Sequence, residues 1–260
     1  MSQTIPAVFF GHGSPMNALE RNEYSEAWAR IGAALPRPRA ILAVSAHWYT
    51  RGTLVTADEH PKTVHDFYGF PKALFDMQYP APGDPAIVAR VRELLAPVAV
   101  QPDRSWGLDH GTWSVLVHVY PKADIPVVQL SIDATQPGQF HYELGAKLAA
   151  LRDEGVLVAG FGNIVHNLQA MQRTQSAAPY DWAERFESAI RKALVERDRD
   201  TLVHWDRFGE DARLSVPTPE HYLPLLYVAG AQRRDEKVSI PVEGIDLGSV
   251  SMLCAVVGAT

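Results

Sequence analysis

The sequence predicts a three-layer α/β domain, with a central, mostly parallel sheet and helices on both faces. Three observations carry this. Short runs such as Ala7–Phe10, Ala40–Ser45 and Val156–Phe161 are apolar almost throughout, as strands covered on both faces must be. Between them lie segments whose apolar residues recur at three- and four-residue spacing, the period of an amphipathic helix. No repeat, low-complexity tract or linker interrupts the 260 residues, so one domain is expected.

In chain order, strand Ala7–Phe10 runs into Gly11-His12-Gly13-Ser14-Pro15. A helix follows with Tyr24, Trp28, Ile31 and Leu35 on one face, stopped by Pro36 and Pro38. Ala40–Ser45 is the second strand, ending in Ala46-His47-Trp48, and Thr53–Ala57 is the third. The Pro-punctuated stretch His60–Pro82 reads as loop with one short helix. Asp84 is suited to cap a helix that starts at Pro85 and runs to about Leu95. Trp113, Leu116, Val117 and Tyr120 give Trp106–Tyr120 a helical pattern, and Pro126–Ser131 is a strand. A helix over Gln136–Arg152 carries Phe140, Leu144, Leu148 and Leu151 on one face and places His141 on the other, polar one. Gly155 ends it, and strand Val156–Phe161 leads into Gly162-Asn163-Ile164-Val165-His166-Asn167. Helices Asp181–Arg197 and Pro219–Gly230 follow, and strands Val238–Pro241 and Ser249–Val257 close the chain.

Composition narrows the function. With 47% hydrophobic and 21% charged residues the chain is globular, and disorder is excluded. Its net charge of −6 gives no attraction for nucleic acid. Met1–Phe10 lacks the basic region of a signal peptide, and the apolar run Val250–Ala259 is too short to cross a bilayer. A soluble cytoplasmic protein without membrane partners is expected. The lone Cys254 cannot form an internal disulfide, which favours a reducing compartment, and it excludes multi-thiolate sites. A metal would have to be held by His, Asp and Glu, and there are ten histidines.

Three of them, His12, His47 and His166, share one context, just beyond the carboxyl end of an apolar strand. That is where open α/β sheets bind ligands. Neutral imidazole is the commonest metal ligand, so these three could converge on one ion. Thr218-Pro219-Glu220-His221 opens a helix, and either Glu220 or His221 could complete the site. The bland reading of any one such histidine is a structural or surface residue; the repeated context is what argues against it for the set. His110 stands in a turn before an aromatic helix, as a pocket acid/base or a mere turn residue. His65 lies in a loop whose Phe67, Tyr68 and Phe70 either line a pocket for a flat aromatic ligand or pack on one another. His60, His118, His141 and His204 have no such context, and His118 reads as a core residue. Ser14 is not in a nucleophile-elbow motif, and no phosphate-binding glycine motif occurs. Arg51 and Lys62 lie near predicted loops, where a substrate carboxylate could meet them.

Several motifs, taken in order, resemble one family. They are Phe10-Gly11-His12-Gly13-Ser14-Pro15-Met16, Val44-Ser45-Ala46-His47-Trp48 and His65-Asp66-Phe67-Tyr68-Gly69-Phe70-Pro71. Further along come Asp109-His110-Gly111-Thr112-Trp113, Gly162-Asn163-Ile164-Val165-His166-Asn167 and Thr218-Pro219-Glu220-His221-Tyr222-Leu223-Pro224. The chain resembles the class III extradiol ring-cleaving dioxygenases, and within them the 4,5-DOPA extradiol branch. The resemblance implies one catalytic domain over residues 1–260 and one divalent metal. It implies insertion of both atoms of O2 into a catechol beside the diol, to give a ring-opened semialdehyde. Carried over by motif, His12, His47 and His221 would be ligands. His166 would be the acid/base residue, able to coordinate the metal when substrate is absent, and His110 would act beside it or touch substrate. Other members of the class use a Glu as third ligand, which is why the adjacent Glu220 matters. Fe(II) is expected for turnover, while Zn(II) can occupy a three-His site but has no redox chemistry. The expected partners are a small catechol and O2; oligomeric state is left open. The rival readings are a zinc metallohydrolase built on the same cluster and a non-catalytic protein with a structural metal.

Overall fold

The structure is a computed structural model that describes residues 4–174 and 177–258. The terminal stretches read above as Met1–Phe10 and Val250–Ala259 therefore lie partly outside the described residues. The strands are β1 (Ala7–Gly11), β2 (Ala40–Thr50), β3 (Thr53–Thr56), β4 (Lys62–Thr63), β5 (Val100–Asp103), β6 (Gly107–Leu108), β7 (Val127–Asp133), β8 (Val156–Gly162), β9 (Val238–Val242), β10 (Ile245–Asp246), β11 (Val250–Ser251) and β12 (Cys254–Val257). The α-helices are α1 (Glu23–Ala34), α2 (Lys72–Phe75), α3 (Pro85–Leu95), α4 (His110–Val119), α5 (Gly138–Leu148), α6 (Ala150–Asp153), α7 (Asp181–Glu196), α8 (Arg199–Val203), α9 (Glu210–Ser215) and α10 (Leu223–Gly230).

Eight strands form the main sheet in the order β5-β3-β7-β2-β8-β1-β12-β9. Its centre, β7-β2-β8-β1, is parallel, and β12 and β9 extend it antiparallel. Alternate residues of each central strand enter opposite cores, as the period of two requires. Ala7 and Phe9, Leu42 and Val44, and Val156 and Val158 face α3, α5, α7 and α10. Val8 and Phe10, Ile41 and Ala43, and Leu157 and Ala159 face α1 and α4. The three-layer reading holds.

Caps set the helix starts. Asn22 and Ser25 form a reciprocal capping box on α1. The Asp84 side chain accepts from the Ala86 and Ile87 N–H groups, with Pro85 at the first helical position.

Local corrections have physical causes. β2 does not end at Ser45 but runs on to Thr50. Its register against β7 slips between Val44, opposite Leu130, and Tyr49, opposite Ile132. The extra residues form a bulge that carries His47 out of the ladder. The expected helix Pro219–Gly230 is split into a 3₁₀ turn, Pro219–His221, and α10. Pro224 cannot donate a backbone hydrogen bond to the preceding turn, so the helix must restart. Thr218 makes no capping bond; its hydroxyl donates to the Glu220 carboxylate at 2.8 Å. The last strand is broken at Met252 and Leu253 into β11 and β12. His141 is fully buried rather than on a polar face. α10 packs so closely on α5 that a Cβ on Gly145 would overlap the Tyr227 backbone. The supposed outer face of α5 is thus covered, and His141 Nδ1 and the Tyr227 hydroxyl lie 3.0 Å apart.

Candidate metal centre

β1, β2 and β8 run parallel side by side, so their carboxyl ends open on one edge of the sheet. His12 follows β1, and its backbone N–H donates to the Gly162 carbonyl at 3.2 Å. His47 comes from the bulge of β2. His221 arrives from the far end of the chain on the 3₁₀ turn, which lies directly on β8. The Asn163 N–H donates to the His221 carbonyl at 2.9 Å, and a Cβ on Gly162 would overlap that same carbonyl. Glycine is therefore what lets the turn lie on the strand end. His166 leaves β8 with its N–H donating to the Ser215 carbonyl at 2.8 Å.

One ligand nitrogen from each of His12, His47 and His221 lies within 4.8 Å of the others. Every one of these rings is held at Nδ1 by an oxygen. The partners are the Gly13 carbonyl at 3.0 Å, an Asp66 carboxylate oxygen at 3.2 Å and a Glu220 carboxylate oxygen at 3.1 Å. An acceptor at Nδ1 places the proton there and leaves a lone pair on Nε2. All three Nε2 atoms are buried and have no hydrogen-bond partner among the described residues. Buried polar atoms are normally satisfied, and three converging imidazole lone pairs are what a divalent cation requires. The residues fit a metal.

His221 rather than Glu220 joins His12 and His47; Glu220 lies behind it as the acceptor for its ring. His166 is not in that trio. Its ring stacks on His221 with centroids 3.5 Å apart and planes 9° apart, and it forms a further close group with Glu220 and His221. His110 sits beside His47, with ring centroids 3.9 Å apart. His12, His47, His110, His166 and His221 therefore lie together. His65 is clipped to the Met77 carbonyl at 2.9 Å. In its loop Phe67 packs on Phe70 and Phe75 and also meets His110 edge-on at 5.4 Å. Tyr68 is 92% exposed and offers no pocket wall. His118 is held by the Asn17 carbonyl at 2.8 Å and is only half-buried. Arg51 and Lys62 are exposed.

Burial, then the neighbouring imidazoles, holds His12 and His221 well below the usual histidine pKa, so both are neutral and ready to ligate. Burial followed by His47 and His110 brings His166 down to about 3. Burial and then His47 lower His110, against the pull of Asp66. For His47, burial is outweighed by the hydrogen bond to Asp66 and the charges of Asp109, Asp66 and Glu220, and its pKa rises.

Two carboxylates at the site carried no role in the sequence reading. Asp66 reaches both His47 and His110. Asp109 is fully buried. It caps α4 at the Thr112 N–H, accepts from the Ser45 hydroxyl at 2.6 Å and is also bonded by the Gln129 amide. It thereby ties α4, β2 and β7 behind the histidines. Both stand in motifs quoted above, but no local pattern marks either one.

A family model described as the catalytic LigB subunit of aromatic ring-opening dioxygenase matches residues 7–257. The chain is 54% identical to the 4,5-DOPA dioxygenase extradiol of Escherichia coli K12, over 99% of this chain and 97% of that protein. It is 37% identical to the protein of the same name from Beta vulgaris, over 94% and 92%. Among solved structures, an uncharacterised protein of Escherichia coli K12 superposes with a TM-score of 0.86 at 50% identity, covering 97% of this chain and 99% of that one.

Proposed function

The chain belongs to the family of catalytic LigB subunits of aromatic ring-opening dioxygenases and is an extradiol ring-cleaving enzyme that uses a metal, and from that premise we propose a DOPA-like catechol as its substrate, with residues 1–260 acting as one catalytic unit. Its small-molecule substrate and O2 follow from the family's reaction, and membership replaces the hydrolase alternative. The names of relatives that share 54% and 37% of its residues over nearly the whole chain support the catechol.

The observation that carries the site assignment is the set of three buried, unpartnered Nε2 atoms on His12, His47 and His221. These three residues would hold the metal, each with its tautomer held from behind. Fe(II) bound there would supply the redox exchange with O2 that Zn(II) cannot. His166, neutral at working pH and stacked beside His221, accepts a proton from the diol. His110, beside His47, serves as a second proton-transfer group, first as an acceptor, or as a substrate contact. Phe67 walls the His110 side. A reducing cytoplasm suits both the single buried Cys254 and a ferrous centre; among the described residues no helix is long and apolar enough to cross a membrane.

The test is reconstitution of the metal-free protein under anaerobic conditions with Fe(II) or Zn(II), followed by addition of DOPA in air-saturated buffer. Fe(II)-dependent O2 uptake with a yellow ring-opened product is the expected result. The absence of uptake over a panel of catechols would overturn the substrate assignment.

A further inference from the structure

The Asp66 carboxylate lies within hydrogen-bond distance of two of the clustered imidazoles at once. Its Oδ1 accepts from His110 Nδ1 at 2.9 Å and from the His110 backbone N–H at 3.0 Å. Its Oδ2 lies 3.2 Å from His47 Nδ1. We propose that Asp66 is a positioning residue that sets the tautomer of His47 and His110 together, so that both rings present an unprotonated Nε2. This rests on the reading of His47 as a metal ligand for one half of its effect; the His110 half stands without it.

Donor and acceptor capacity decides where the ring protons sit. A carboxylate can only accept. A ring that bonds to it must carry its proton on the bonded nitrogen, so Nδ1–H is fixed in both rings and Nε2 is left bare. A neutral amide in the same place could accept from one ring but would offer an N–H to the other. The loop that carries Asp66 is itself held fast. On one side His65 is clipped to the Met77 carbonyl; on the other Phe67 wedges among Phe75, His110 and Trp113. The bond from the His110 backbone N–H also fastens the start of α4 to the same oxygen, so carboxylate and ring cannot drift apart independently. Although His47, Asp66 and His110 are close enough to be considered as a metal group, the ring nitrogens facing Asp66 are already engaged with it. The arrangement is a hydrogen-bonded triad.

The experiment is ring ¹⁵N–¹H correlation NMR on protein labelled at histidine, zinc-loaded and metal-free, at mildly alkaline pH where the rings are neutral. The wild type should show Nδ1–H on both His47 and His110, and Asp66→Glu, which keeps two carboxylate oxygens, should retain that pattern. In Asp66→Asn, Nε2–H should appear at His110 or His47. Zinc affinity and Fe(II)-dependent kcat should each fall by about 10- to 100-fold, with a smaller change in the catechol KM. Nε2–H at His110 in the wild type would overturn the inference, and so would Asp66→Asn with wild-type tautomers and zinc affinity. If the wild type binds no zinc, the ligand reading fails, and the His110 tautomer in the metal-free protein still decides the role of Asp66.

Discussion

An imidazole ligates only when its lone pair faces the ion, so the atoms behind a ring matter as much as those in front. Here the Gly13 carbonyl, Asp66 and Glu220 do that work for His12, His47 and His221. The histidines themselves are legible because His12, His47 and His166 recur beyond apolar strands; His221 shares its helix opening with Glu220 and His110 stands in a turn before an aromatic helix, and the motif resemblance chooses between the alternatives for both. Asp66 was not legible: its partner His110 lies 44 positions away, and nothing local distinguishes it from an ordinary loop aspartate. His166 is set apart from the ligand trio by its stacking on His221. His166→Ala should therefore lower turnover by about 10²- to 10⁴-fold, the usual weight of a proton-transfer group. Metal and catechol binding should persist in equilibrium titrations. Near wild-type turnover would remove His166 from the proton-transfer role.

At the level of elements, the site depends on irregularities placed where regular structure stops. The β2 bulge brings His47 out of the ladder, and the 3₁₀ turn Pro219–His221 lies on β8 because Gly162 has no side chain. Gly162→Ala should push the turn off the strand and move His221. We expect a loss of about 1–3 kcal/mol in urea unfolding, together with weaker metal binding in a competition titration. Unchanged metal affinity would mean that the turn is not positioned by this contact. The central strands could be read from sequence because both faces are apolar. The short helices α8 and α9 could not, since Arg199–Val203 and Glu210–Ser215 are too brief to show a period. The bulge was hidden for a related reason: register depends on the partner strand β7, which no local pattern reveals.

Across the whole molecule, the order β2-β8-β1 sets three carboxyl strand ends side by side, and the chain's last third returns to deliver His221. Arg152 helps to hold that return in place. It is fully buried, bonds the Ile5 and Ala231 carbonyls at 2.8 and 2.7 Å, and pairs with Glu236 at 2.6 Å. Away from the site, His141 gives stability a pH dependence of its own. Burial lowers its pKa from 6.5 to about 4 against the pull of Gln136 and Asp133. The neutral form is favoured in the fold, so its contribution is complete above pH 6.5 and is lost as pH falls toward 4. The change amounts to about 3 kcal/mol. In urea unfolding, His141→Phe should flatten this part of the stability–pH curve, although it leaves the Tyr227 hydroxyl unpaired; an unaltered curve would place the acid sensitivity elsewhere. The central claim, that three imidazoles hold one catalytic metal, is tested most directly by anaerobic Fe(II) titration of the metal-free protein and of His12→Ala, His47→Ala, His221→Ala and His166→Ala. One tight ion per chain is expected in the wild type and in His166→Ala, with loss of tight binding in each of the other three. A tight ion retained in any of those three, or lost in His166→Ala, would rule out the three-imidazole site.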